Sequence, residues 1–135
     1  MATLYHRDFL KWVDSQAAAL RARRWDELDV EHLAEEVESL GRSERRELEN
    51  RSLVIVQHLL KARHQPMRSG WRATIRAEQA ALARLLRDNP SLRREVPQAI
   101  RAIYPEARDL AAEEMGIPIG DLPATCPFTP EDILG

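Results

Sequence analysis

The chain has 135 residues, a net charge of −2, 44% hydrophobic and 31% charged side chains, and one cysteine. That length fits one domain, which at this size buries roughly 70% of the surface of its unfolded chain. The composition excludes wholesale disorder, and the lone Cys126 excludes an intrachain disulfide and fits a reducing, cytoplasmic setting. Five glycines among many alanines, leucines, arginines and glutamates make a helix-forming composition.

The opening "MATLYHRDFLKW" is interrupted by charge and lacks the apolar run of a signal peptide. Phe9, Trp12, Val13, Gln16, Ala17 and Leu20 recur at three- and four-residue steps, which predicts a first helix starting near Asp8 or before and fading at "RARRW". Trp25 falls in a short connection, and Asp29 is placed to cap the next helix, with Glu31 in its first turn.

From Leu33 an apolar face continues through 37, 40, 48, 55, 59 and 62, with Glu44 and Arg51 on the same stripe. Its continuity favours one long helix over most of residues 30–63 rather than a break at Gly41, and Pro66 ends it. The uncharged stretch "SLVIVQHLL" is nine residues, short of the ~20 that span a bilayer, so no membrane segment is expected.

A third helix is predicted from Ser69 or Trp71 to Arg87, with Trp71, Thr74, Ile75, Leu82, Leu85 and Leu86 inward. "RDNPSL" then stops one helix and starts another, with Asn89 or Ser91 as cap and Pro90 at the start. Val96, Ile100, Ile103, Ala107, Leu110 and Ala111 mark a fourth helix, bent at Pro105 and stopped by Gly116. Beyond Gly116, four prolines forbid a long helix; Ile117, Ile119, Leu122, Phe128 and Ile133 are expected to strap residues 117–135 over the bundle, ending in a turn capped by Thr129.

The whole reads as an all-α, compact bundle of about four main helices, one of them long, within a single domain 1–135: a bundle over 1–116 and a proline-rich C-terminal strap. Seven segments in order, "LYHRDFLKWVDSQAAALR", "LDVEHLAEEVESLGRSERRELENR", "HLLKARHQP", "SGWRATI", "NPSLRREV", "EEMGIP" and "CPFTPEDIL", resemble the bacterial domain of unknown function 29 family over nearly the full length. The resemblance implies an all-helical bacterial protein and supplies no activity or catalytic residue.

Charge along the chain is uneven. Residues 31–50 carry −4, residues 51–94 carry +8 and residues 95–135 carry −6. Arg68, Arg72 and Arg76 step by four along the third helix and Arg87 returns to nearly the same face, which would suit nucleic acid or another anion. The opposing expectation is that acidic groups of the second and fourth helices answer these arginines inside the fold. The pairs Glu38–Arg42 and Glu47–Arg51 read as a solvated helix flank.

Asp29, His32, Glu35 and Glu36 share a helix face at the spacing of bundle metal sites, and the set is incomplete because no second copy exists. His58 and His64 read as a hydrogen-bonded, partly buried histidine and a helix-end histidine, and Cys126 as a packed small hydrophobe. No catalytic residue and no cofactor is assigned. The leading functional reading is a non-enzymatic module that binds a protein partner or itself; a nucleic-acid-associated protein and a helical metalloprotein are the alternatives.

Overall fold

The structure is a computed structural model and describes residues 3–135. Among the described residues every regular element is helical: α1 (Leu4–Arg7), α2 (Phe9–Arg21), α3 (Val30–His64), α4 (Ser69–Asp88), α5 (Val96–Met115) and α6 (Pro130–Leu134), with 3₁₀ turns at Trp25–Glu27, Pro90–Glu95 and Ile119–Asp121. The all-α expectation, with four main helices of which one is long, holds. None of them is long and apolar enough to cross a membrane. The chain divides into two compact units, Met1–Arg42 and Ser43–Gly135. The 35-residue α3 contributes its beginning to the first and its remainder to the second.

In the first unit, extended backbone at Asp8 (φ −152°) separates α1 from α2, and the Asp8 carboxylate accepts from the Lys11 amide to cap α2. Trp12, Gln16 and Ala19 are the buried positions of α2, one per helical turn. The helix ends in a Schellman turn: Arg24 N–H donates to the Ala19 carbonyl and Arg23 N–H to the Leu20 carbonyl, with Arg23 at φ 59°. Arg23 therefore sits in the left-handed region that usually selects glycine.

In the second unit, Leu48, Ile55, Val56 and Leu60 of α3 pack with Ile75, Leu82, Leu85 and Leu86 of α4 and with Val96, Ile100, Ile103, Tyr104, Ala107 and Ala111 of α5. Each fully buried aliphatic side chain contributes about 1.5–3 kcal/mol relative to exposure. Helix α4 covers the predicted span, and α3 runs unbroken through Gly41 to His64. Helix α5 keeps its assignment through Pro105, whose exposed ring faces water. The missing N–H leaves the Arg101 carbonyl without its helical donor.

Gly116 (φ 67°) ends α5 as expected, with Ile117 N–H bonded to the Ala112 carbonyl. The structure corrects two local expectations. Asn89 does not cap the 3₁₀ turn at Pro90–Glu95: its side-chain amide donates back to the Leu85 carbonyl, closing the end of α4, and to Glu44. Of the strap residues, Leu122 and Ile133 are buried and Ile117 and Phe128 half-buried, while Ile119 is exposed because the 3₁₀ turn that starts with it turns the side chain outward. Thr129 and Asp132 form a reciprocal capping box that starts α6.

Candidate functional site

Three places in the chain hold the sequence-predicted residues or expose groups that could meet a partner. The first is the polar face inside the Met1–Arg42 unit. Asp29 lies just before α3, and its carboxylate accepts from the His32 ring (Nδ1, 2.7 Å), the Trp12 indole (3.0 Å) and the His32 backbone amide (3.4 Å). The Asp29 amide in turn donates to Gln16 Oε1 at 2.7 Å. The His32 hydrogen bond, reinforced by Trp12 and opposed by desolvation, holds the Asp29 carboxyl below its ordinary value.

Tyr5 stacks on His32, with ring centroids 4.0 Å apart, and donates its hydroxyl to Glu36. That bond, with desolvation and the surrounding carboxylates, pushes the phenol up to about 12. Of the four candidate metal ligands, Asp29, His32 and Glu36 thus face α1 and α2, and Glu35 is exposed elsewhere on the turn. Among the described residues no three histidine, cysteine, aspartate or glutamate side chains converge as a metal site. Asp29 bonds Trp12 of α2, Glu36 bonds Tyr5 of α1 and His32 bonds Asp29, so all three inward residues serve hydrogen bonds of the hairpin.

The second place is the side of the same hairpin. Phe9, Leu20, Val30, Val37 and Leu40 are 44–70% exposed, and Trp25 at the connection is 59% exposed. At about 100° per residue, Phe9, Val13 and Leu20 lie together on one side of the Trp12–Gln16–Ala19 face. Val30, Leu33, Val37 and Leu40 lie on the corresponding side of the Asp29–His32–Glu36 face. Tyr5 reaches Glu36 while Gln16 reaches Glu27 and Asp29, so α2 and the start of α3 run antiparallel. Both apolar sets therefore open on the same side.

The third place is α4. Arg68, Arg72, Arg76 and Arg87 are all exposed. The expectation that acidic groups answer them is not met: among the described residues none of the four makes an ion pair within 4.0 Å. Acids of α3, α4, α5 and the 3₁₀ turn at Pro90–Glu95 engage other groups. Glu47 and Glu78 clasp Arg51, Glu95 pairs with Arg45, and Glu114 pairs with Lys61. Helical phase explains the outcome. The core positions Ile75, Leu82 and Leu86 set the inward direction, and Arg72, Arg76 and Arg87 fall on the flank beside it, while Glu78 points toward α3. Arg68 lies over the Trp71 ring, 5.2 Å from its centroid.

A family model for a domain of unknown function, DUF29, matches residues 4–135. The chain belongs to the DUF29 family. No curated protein and no solved structure matches it.

Within this DUF29 chain several polar residues that the sequence did not single out prove central. Lys61 is buried, donates to Glu114 Oε2 at 2.6 Å and lies over the Trp71 ring at 4.7 Å, while Gln57 also donates to Glu114. Its only sequence signal is a lysine within an otherwise apolar stretch. Gln16 sits on the apolar stripe of α2, and that polar interruption is the trace of its bonds to Glu27 and Asp29. His58 takes the expected role, half-buried and bonded to the Val54 carbonyl at 2.7 Å, and His64 is exposed at the end of α3. Cys126 packs against the core, and burial pushes its thiol up.

Proposed function

We propose that this DUF29 chain is a non-enzymatic interaction module that self-associates through the apolar side of its N-terminal hairpin. The observation that carries this reading is the exposed set Phe9, Leu20, Val30, Val37 and Leu40. Together these side chains leave on the order of 500 Å² of apolar surface in water, close to the apolar part of the roughly 800 Å² each partner contributes to a stable interface.

The spacing favours a second copy as the partner. Val30, Leu33, Val37 and Leu40 alternate β-branched and leucine side chains at a and d positions of two heptads, the pattern of two-stranded helix pairing. Ala17, Ala34 and Gly41 border the stripe and would let backbones approach. A two-fold axis along the helices would set α2 of one copy against α3 of the other, each pair antiparallel, as in a four-helix bundle. A half-buried lone cysteine and the family resemblance support placing the protein in a bacterial cytoplasm.

Light scattering coupled to size exclusion tests the reading. The parent is expected at twice the chain mass at micromolar concentration. The double change Val37→Glu and Leu40→Glu is expected to give a monomer of unchanged helicity, since both positions are exposed. A parent that stays monomeric throughout would overturn self-association.

The exposed α4 stripe favours a second reading, a nucleic-acid surface. Arg72, Arg76 and Arg87 would then span about 22 Å along the helix at 1.5 Å per residue. The same chromatography with a duplex oligonucleotide decides it: co-elution that weakens steeply with salt, and less steeply after Arg72→Ala with Arg76→Ala, is the signature of phosphate contacts.

A further inference from the structure

The segment after α5 borders a cavity whose wall is basic. Arg63 and His64 from the last turn of α3, Arg108 from α5, and residues 120–124 line an open cavity of about 530 Å³. Arg108 is half-buried, and its Nη2 donates to the Leu122 carbonyl at 3.0 Å. That bond holds the guanidinium against the 3₁₀ turn. The Arg108 Nε, by contrast, is shut off from solvent and has no acceptor.

A buried, charged N–H without a partner bears its full desolvation penalty, and native structures rarely leave one so unless a water or an ion completes it. Neither Arg63 nor Arg108 makes an ion pair within 4.0 Å among the described residues, although Asp121 lines the same cavity. The helix dipole accounts for cations at the end of α3, so Arg63 and His64 alone would be an ordinary helix terminus. Arg108 comes from a different helix, and its tether is the carbonyl of Leu122, the residue that closes the 3₁₀ turn Ile119–Asp121.

We propose that this cavity binds a phosphate group carried by a small ligand. Guanidinium forks match oxyanions in planar, paired hydrogen bonds. Arg108 is already fixed by Leu122, so its guanidinium is held in place with Nη1 free of any protein partner among the described residues; Arg63, exposed beside it, supplies a second guanidinium that can close on the ligand. His64 lines the same wall and adds a ring N–H donor. Two guanidiniums against the single carboxylate of Asp121 leave the wall with surplus positive charge. Guanidiniums from two helices can share the three terminal oxygens of a phosphate monoester, where a carboxylate offers only two. The site lies wholly within the Ser43–Gly135 unit and is independent of the hairpin face.

Inorganic phosphate is the probe. Calorimetric titration of the full chain, with sodium chloride and sodium acetate at matched ionic strength as controls, is expected to show saturable one-site binding for phosphate alone. Arg63→Glu is expected to abolish it with at most a small change in the unliganded melting temperature, because Arg63 is exposed, makes no ion pair among the described residues and only lies over the Phe128 ring at 6.0 Å; Arg63→Ala gives the same readout with a milder change. Arg108→Lys is expected to weaken phosphate at least tenfold through loss of the fork. Phosphate binding that persists in both Arg63 variants, or no saturable binding by the parent, would overturn the proposal. Saturable acetate binding lost in Arg63→Glu would reassign the site to carboxylates and overturn it equally.

Discussion

Tyr5 and Tyr104 are the two tyrosines of the chain, and the structure moves both phenols in the same direction for different reasons. Tyr5 is pushed up to about 12 chiefly by its hydrogen bond to Glu36. Tyr104 is raised chiefly by burial in the core, where its hydroxyl donates to the Pro123 carbonyl at 2.6 Å. In each case the folded state holds its proton more tightly than the unfolded chain, whose phenols titrate near 10. Their stabilising contribution is therefore complete below about pH 10 and declines as pH rises above it. A spectrophotometric titration of the native protein at pH 10 is expected to show well under half of its phenols ionised. Unfolding in denaturant at the same pH should release the missing phenolate signal. Half-ionisation of both in the native state would contradict the Tyr5–Glu36 bond and the burial of Tyr104. Asp29 works with opposite sign: its depressed carboxyl contributes stability above the ordinary carboxyl range, which is lost as pH falls through its folded value.

At the scale of the element, α2 and α5 end in the same Schellman geometry with different residues in the left-handed position. Helix α5 uses Gly116 at φ 67°, and α2 uses Arg23 at φ 59°. A side chain in that conformation costs about 1–2 kcal/mol. Space is not the constraint at Gly116, where an added Cβ would meet nothing within 4 Å. Gly116→Ala is therefore expected to destabilise the chain by about 1 kcal/mol on conformational grounds alone, and Arg23→Gly to stabilise α2 by a similar amount. Paired urea melts check both signs; an unchanged midpoint for Gly116→Ala would remove the argument. These ends also show what a sequence makes legible. Gly116 after the stripe of α5 announces a helix stop, and Pro66 does the same for α3. Arg23 carries no such mark, because nothing in "RARRW" distinguishes an arginine at φ 59° from its neighbours.

For the whole molecule, apolar periodicity gave the helices, since burial repeats with the helical period whatever the partner helix is. It could not give the polar contacts between elements, which depend on the rotation of each helix about its axis. The arginines of α4 illustrate the difference. Basic α4 and acidic α5 pack into one core, yet the pairs that form involve Arg45, Arg51 and Lys61, and the stripe of Arg72, Arg76 and Arg87 stays in water. Arg108 could not have been singled out either, because only its burial beside Leu122 sets it apart from the other arginines.

The three tryptophans are distributed so that each looks out on a different environment. Trp12 is 4% exposed and bonded to Asp29 within the first unit, Trp71 is half-buried between Lys61 and Arg68 in the second, and Trp25 stands in water at the hairpin connection. Intrinsic fluorescence is thus already partitioned between the two units without any added label. Trp25 emits from a solvated site before and after unfolding, so it supplies a nearly constant background. Replacing Trp71 with phenylalanine leaves Trp12 as the probe of the hairpin, and replacing Trp12 leaves Trp71 as the probe of the main core. With only three buried side chains in α2 against the many of the α3–α5 core, the Trp12 signal is expected to red-shift at a lower denaturant concentration than the Trp71 signal. Coincident curves would instead mean that the hairpin and the core melt as one cooperative body.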